Sequence, residues 1–186
     1  MKIGFVLPSS HYLNDPFRGC PFTHLQLLTI LEDHFGCGIE LCLPDLRGVK
    51  REFSFFHIPE CDVYLHSIYT LDINEQIAIV KMLRRQYPKA IHIAGGPHAV
   101  EYPEESLKIF DSLVIGEGEI VLIKIIEDVA NNNIQKIYKQ QGAIDINKYP
   151  FPDRKFLSKS ANARRKLMTL KNKPNFDGLI STNVIF

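Results

Sequence analysis

The chain has 186 residues, of which 45% are hydrophobic and 23% charged, and its formal net charge at pH 7 is +1. That length suits one domain of ordinary size with an appendage, and the apolar share is ample for a packed core. The near-zero charge excludes a general attraction to nucleic acid or membrane surfaces, and there is no run of about 18 apolar residues to span a bilayer.

Residues 2–7 read as a first buried strand. Their apolar run is too short for a signal peptide, which places the expected location in the cytoplasm. A polar and aromatic loop follows over 8–21. From 23 to 35, Leu27, Leu28, Ile30 and Leu31 suit a helix packed on a sheet, with Thr23 as N-cap and Gly36 and Gly38 ending it. Residues 39–43 form strand two. The stretch 44–59 reads as a short helix or an irregular crossover whose Phe53, Phe55 and Phe56 call for burial. Strand three covers 61–67. A helix over 72–87 is capped by Asp72, has Glu75 in its first turn, repeats Ile73, Ile77, Val80 and Leu83 at helical spacing, and closes at Pro88. Strand four (90–94), a short helix (103–110), strand five (111–115) and a further helix (119–131) follow, with a candidate edge strand at 134–138.

Strands alternating with helices call for an α/β fold: a Rossmann-like or flavodoxin-like, doubly wound, mostly parallel five-stranded sheet in the order 2-1-3-4-5, with helices on both faces. This domain is expected over residues 1–142. Residues 143–186 read as an extended linker and basic tail. Tyr149-Pro150-Phe151-Pro152 disfavours helix, so 145–153 is expected to lie extended over a surface. Residues 154–173 carry eight Lys or Arg and no acid. They read as a solvated linker, or alternatively as a helix docking an acidic partner, domain or phosphate. Residues 179–186 resemble the start of another strand.

The four cysteines, Cys20, Cys37, Cys42 and Cys61, form no CxxC pair. In a cytoplasmic chain they read as thiols, with Cys42 and Cys61 as small core residues. Ligands in such sheets lie at the carboxyl ends of the strands. Four segments converge there: Pro8, Ser9 and Ser10 after strand one; Ser67, Ile68, Tyr69 and Thr70 after strand three; Gly95, Gly96, Pro97 and His98 after strand four; and Gly116, Glu117, Gly118 and Glu119 after strand five. Glycines there let backbone approach a ligand. The combination suits a large planar or amide-bearing ligand. It suits a phosphate poorly, because Pro97 lacks an N–H and two glutamates flank Gly118. Either turn alone is also how any α/β strand ends. No HxH, HExxH or GxSxG occurs, so no protein-built metal site and no catalytic residue is assigned. Glu119 is better placed to serve the next helix than to act as an acid or base.

Taken in order, Gly95-Gly96-Pro97-His98-Ala99, Pro103-Glu104-Glu105, Val114-Ile115-Gly116-Glu117-Gly118-Glu119 and Tyr149-Pro150-Phe151-Pro152-Asp153 resemble the N-terminal cobalamin (B12)-binding domain of the B12-dependent radical S-adenosylmethionine (SAM) enzymes. The resemblance spans nearly the whole chain. It implies cobalamin as cofactor, with the corrin over the carboxyl edge and contacts to its nucleotide tail from Ser67 and Gly95-Gly96. The DxHxxG motif that ligates cobalt in other cobalamin modules is missing, since Phe22-Thr23-His24-Leu25-Gln26-Leu27 has neither its aspartate nor its glycine. Residues near cobalt are therefore expected from the loop 8–21. The cysteine triad for a [4Fe–4S] cluster and S-adenosylmethionine is also missing, so that chemistry is expected of a radical domain in cis or in trans. The expectation is a cobalamin-binding module that serves methyl transfer or rearrangement and is not catalytic alone, with no nucleic-acid or membrane partner. The alternative is a stand-alone interaction or sensor protein that has lost or replaced the corrinoid.

Overall fold

The computed structural model describes residues 1–172, with side chains described to residue 167. The strand expected at 179–186 lies outside the described residues. Strands β1 (Lys2–Val6), β2 (Glu40–Cys42), β3 (Val63–Ser67), β4 (Ile91–Gly95), β5 (Ser112–Ile115) and β6 (Ile137–Lys139) form one sheet in the order β2-β1-β3-β4-β5-β6. Every neighbouring pair is parallel. The expected order holds, but the sheet has six strands rather than five. The added edge strand is set by Tyr138, which is buried and donates its phenol to Asp128 Oδ2 at 2.8 Å. Its ring gives a short, polar segment enough apolar area to dock.

Side chains alternate across the sheet with a period of two. Phe5, Leu65, Ile93 and Val114 face one side, packed with Leu28 of α1 (Phe22–Phe35) and Ile125 and Ile126 of α5 (Gly118–Ala130). Val6 and Tyr64 face the other side, against Ile79 and Leu83 of α2 (Ile73–Gln86). On that side Ala94 and Leu113 pack with Ala99 and Phe110, in and after the short helices α3 (Pro97–Glu101) and α4 (Pro103–Ser106). Burying both faces is what permits an all-parallel sheet.

Several local expectations are corrected. Helix α1 starts at Phe22 with Pro21 in the N-cap position, and Thr23 makes no capping bond. Asp72 is the N-cap of α2, but its carboxylate accepts from the Tyr69 N–H at 3.1 Å instead of from the helix. The helix expected over 103–110 is four residues long and is preceded by α3, which was not anticipated. Each of these helices begins on a proline, whose fixed φ suits the first helical turn. Phe53 and Phe56 are not buried. In the 3-10 turn Arg51–His57 it is Ser54 that points inward, followed by Ile58, while Phe56 is left 78% exposed.

Beyond β6 the chain runs back along α1, as its prolines suggest. Gln26 Nε2 donates to the Pro150 carbonyl at 2.7 Å, and the Asp153 N–H donates to Thr29 Oγ1 at 2.8 Å. Those contacts explain two buried polar side chains on an otherwise apolar helix face. The basic segment does not stay extended throughout. It forms α6 (Lys159–Asn172), and Arg164 donates from Nε to the Arg47 carbonyl at 2.8 Å and from Nη2 to the Asp45 carbonyl. The turn it reads is built on a buried Asp45–Arg47 ion pair at 2.7 Å, with the Arg47 guanidinium 4.9 Å from the Phe17 ring centroid.

Candidate functional site

A cavity of about 340 Å³ opens at the carboxyl edge of the sheet, on the α1/α5 side. Phe5, Leu65, Ile93 and Val114 line it from the strands, and Leu27 and Leu122 from the two helices. Its rim is polar. Ser67 and Tyr69 stand after β3, Gly95, Gly96 and Pro97 after β4, and Gly116, Glu117, Gly118 and Glu119 at the entry to α5. Parallel pairing puts the carboxyl ends of β1, β3, β4 and β5 at one edge, and the apolar floor is the core face of the sheet there.

Each glycine turn has a steric reason. Gly96 has φ +100 and ψ 178, and a Cβ on it would lie 3.0 Å from the Ile68 carbonyl, 3.1 Å from Ile68 N and 3.3 Å from Ser67 Oγ. The closeness reflects two main-chain bonds that tie the neighbouring turns: Ile68 N to the Gly95 carbonyl at 2.8 Å and His98 N to the Ile68 carbonyl at 3.1 Å. Gly116 has φ +101, and its missing Cβ leaves room for Gln140, whose Oε1 accepts from the Glu117 N–H. Gly118 lets α5 pack against Leu27 of α1, where a Cβ would sit 3.2 Å from the leucine methyl.

Nine of the expected site residues line the cavity: Ser67, Tyr69, Gly95, Gly96, Pro97, Gly116, Glu117, Gly118 and Glu119. The other six do not. Ile68 is fully buried behind the rim. His98 and Thr70 turn to each other, Nδ1 to Oγ1 at 3.1 Å, and His98 Nε2 is buried without a partner among the described residues. Pro8, Ser9 and Ser10 form a separate turn beside α2, where the Ser9 N–H donates to Glu75 Oε1 at 2.8 Å. Glu119 lies in the first turn of α5 and Glu117 is its N-cap residue, without a side-chain capping bond.

Sequence reasoning missed the apolar floor, because its residues read simply as core. It also missed Thr23 and Val100 on the lining, and Gln140 behind Gly116. The signal for Gln140 was its place just beyond a short strand. His24 lies outside the lining. It packs on Phe5 with ring centroids 4.2 Å apart, and burial, reinforced by Arg47, pushes its pKa down to about 3. His66, which does line the cavity, forms a buried pair with His92, Nε2 to Nδ1 at 3.2 Å, with Gln76 Oε1 3.0 Å from His66 Nδ1. Burial holds both neutral, lowering His66 to about 4 and His92 to about 2. No group of three or more His, Cys, Asp or Glu among the described residues could hold a metal ion. Among the described residues no helix is long and apolar enough to cross a membrane.

No family model matches the chain. A 72-residue stretch, 37% of this chain, is 32% identical to part of the cobalamin-dependent radical SAM methyltransferase TokK of Streptomyces tokunonensis. Among solved structures, 72% of the chain aligns with OxsB, a cobalamin-dependent S-adenosylmethionine radical enzyme with aqua-cobalamin bound, at a TM-score of 0.58 and 15% identity. The fold resembles that of a segment of OxsB. The matches span only 11% of the methyltransferase and 19% of OxsB. Half of the chain also aligns with 72% of the N-terminal domain of the hypothetical protein TM0182 of Thermotoga maritima, at 29% identity and a TM-score of 0.38, which adds nothing to the fold argument. The resemblance read from the glycine turns and the proline-rich segment is supported by the first two similarities.

Proposed function

We propose that this chain is the cobalamin-binding module of a B12-dependent radical SAM-type system, with residues 1–142 as the binding domain. The observation that carries this reading is the cavity itself, an apolar slot of about 340 Å³ rimmed by two glycine turns at the carboxyl edge. That volume lies near the lower end of small-ligand sites, about 300–1,000 Å³. It suits the flat base and sugar of the cobalamin tail and leaves the much larger corrin outside, across the strand ends. Phe5, Leu65, Ile93 and Leu122 would enclose the base, and the Ser67, Gly95 and Gly96 segment would lie along the tail. Glu117 and Glu119 would disfavour a phosphate at the α5 entry.

Bound cobalamin supplies a cobalt centre that carries a methyl group or accepts electrons. The role of these residues would be to bind, orient and keep water from the tail, while a radical domain in cis or in trans supplies the cluster and S-adenosylmethionine. The likeness of the fold to OxsB, described as binding aqua-cobalamin, and the local identity to TokK support this reading.

The test is a visible-absorption titration with hydroxocobalamin and with methylcobalamin, followed by desalting. Retained corrin in stoichiometric amount is expected. A folded sample that retains none, alone and with a radical-domain protein added, rejects the reading. It would then favour an interaction protein, a role for which exposed Phe56, close in sequence to Phe55 on the groove of Ala78, Lys81 and Met82, is the relevant feature.

A further inference from the structure

The loop after β1 contains an unusual piece of backbone. Ser10 has φ +50, a left-handed conformation that costs energy for a residue with a Cβ. Such conformations persist where the surroundings over-determine them, and they concentrate at functional sites. What holds this one is Glu75, in the first turn of α2, more than sixty residues away in sequence. Its carboxylate is buried and takes the turn from both sides of Ser10. Oε1 accepts from the Ser9 N–H at 2.8 Å, and Oε2 lies 3.3 Å from His11 Nδ1. The Leu13 N–H closes the turn on the Ser10 carbonyl at 2.9 Å. One helical turn earlier, Asp72 holds the Tyr69 N–H in the same way at 3.1 Å. The start of α2 therefore grips both loops that leave the two adjacent central strands, β1 and β3. The side chains these loops present, Tyr12, Leu13, Tyr69 and Leu71, are all exposed. Tyr69 is also on the cavity rim.

We propose that Glu75 is a positioning residue of the ligand site. It holds the strained Ser10 turn so that Tyr12 and Leu13 stand beside Tyr69 as an apolar shelf at the mouth. A buried carboxylate is costly unless it is fully used, and this one is used entirely on a loop that makes no contribution to the cavity lining. The inference rests on the proposed cobalamin function, because the ligand the shelf supports is the ring system lying outside the cavity.

The experiment compares wild type, Glu75→Ala, Ser10→Gly and the double variant, with two readouts. The first is independent of any ligand: trypsin cleavage after Arg18, in the same loop, under native conditions. Glu75→Ala is expected to raise the cleavage rate several-fold. Ser10→Gly in that background is expected to bring it back towards wild type, because glycine adopts the turn without the clamp. The second is hydroxocobalamin affinity with the position of the bound corrin bands. Here a roughly tenfold weakening in Glu75→Ala is expected, again restored by Ser10→Gly, with band positions returning to wild type. Far-ultraviolet circular dichroism and the thermal midpoint separate loss of positioning from loss of fold, and Glu75→Gln serves as the milder variant if Glu75→Ala unfolds. If wild type binds corrin and the clamp variants bind it equally well, the positioning role is overturned while the cobalamin reading stands. A binding loss that Ser10→Gly does not restore overturns it too. If wild type binds no corrin, both fall.

Discussion

Gly96→Ala puts the site geometry at risk with the smallest possible change. At φ +100 and ψ 178 the backbone of Gly96 lies in a region almost exclusive to glycine, and holding another residue there costs about 1–3 kcal/mol. The added methyl would also come within 3.0 Å of the Ile68 carbonyl and 3.1 Å of Ile68 N. Both atoms are main chain, tied by hydrogen bonds to Gly95 and His98, so they cannot swing aside as a side-chain tip could. Relieving such overpacking costs about another 1–3 kcal/mol. The total is about 2–6 kcal/mol. For a chain of 186 residues, each kcal/mol shifts the thermal midpoint by about 2–4 °C, so a loss of roughly 8–16 °C is expected at the middle of the range. The assay is thermal unfolding by circular dichroism, with hydroxocobalamin retention measured on the same sample at a temperature where it is folded. Gly38→Ala is the control, since a Cβ there meets nothing within 4 Å. If Gly96→Ala melts within 2 °C of wild type, the account of this turn is refuted.

Three further predictions follow from buried groups and one exposed ring. His24, His66 and His92 have native pKa values pushed below the ordinary 6.5 by burial, so the unfolded chain takes up protons first. Stability should therefore be full above pH 6.5 and fall as pH drops towards 4, by roughly 2 kcal/mol at pH 5 from His66 alone. Asp72, raised to about 6 mainly by burial, opposes this between pH 6 and 3.8 but is outnumbered. Urea midpoints at pH 7 and 5 check the sign, and an unchanged or higher midpoint at pH 5 contradicts it. Arg47→Ala strips the partner from buried Asp45 and removes the Phe17 contact. About 3–5 kcal/mol of destabilisation is expected in urea unfolding, and a loss below 1 kcal/mol would show the pair to be dispensable. Phe56→Ser, at a side chain 78% exposed, should change stability by no more than about 0.5 kcal/mol, with the urea midpoint as the check.

The layered α/β plan and the order of the first five strands were legible in local residue patterns. Alternating apolar runs, helical periodicity and the obligatory crossover of parallel strands allow few other arrangements. The sequence also pointed to where a cavity opens, because glycine after a buried strand is a local signal, and Gly95, Gly96, Gly116 and Gly118 line that cavity. Tertiary structure decided what short-range patterns do not encode. Whether 137–139 pairs as a sixth strand depended on Tyr138 finding Asp128 on α5. Which way His98 faces depended on Thr70, 28 residues away. The basic tail became a docked helix because Arg164 meets carbonyls at positions 45 and 47. Glu75 read as an ordinary first-turn acid, yet it holds a loop that begins at the end of β1. In each case the deciding partner is distant in sequence. A residue's type reports what it can bond to, and only the assembled chain selects which partner comes within reach.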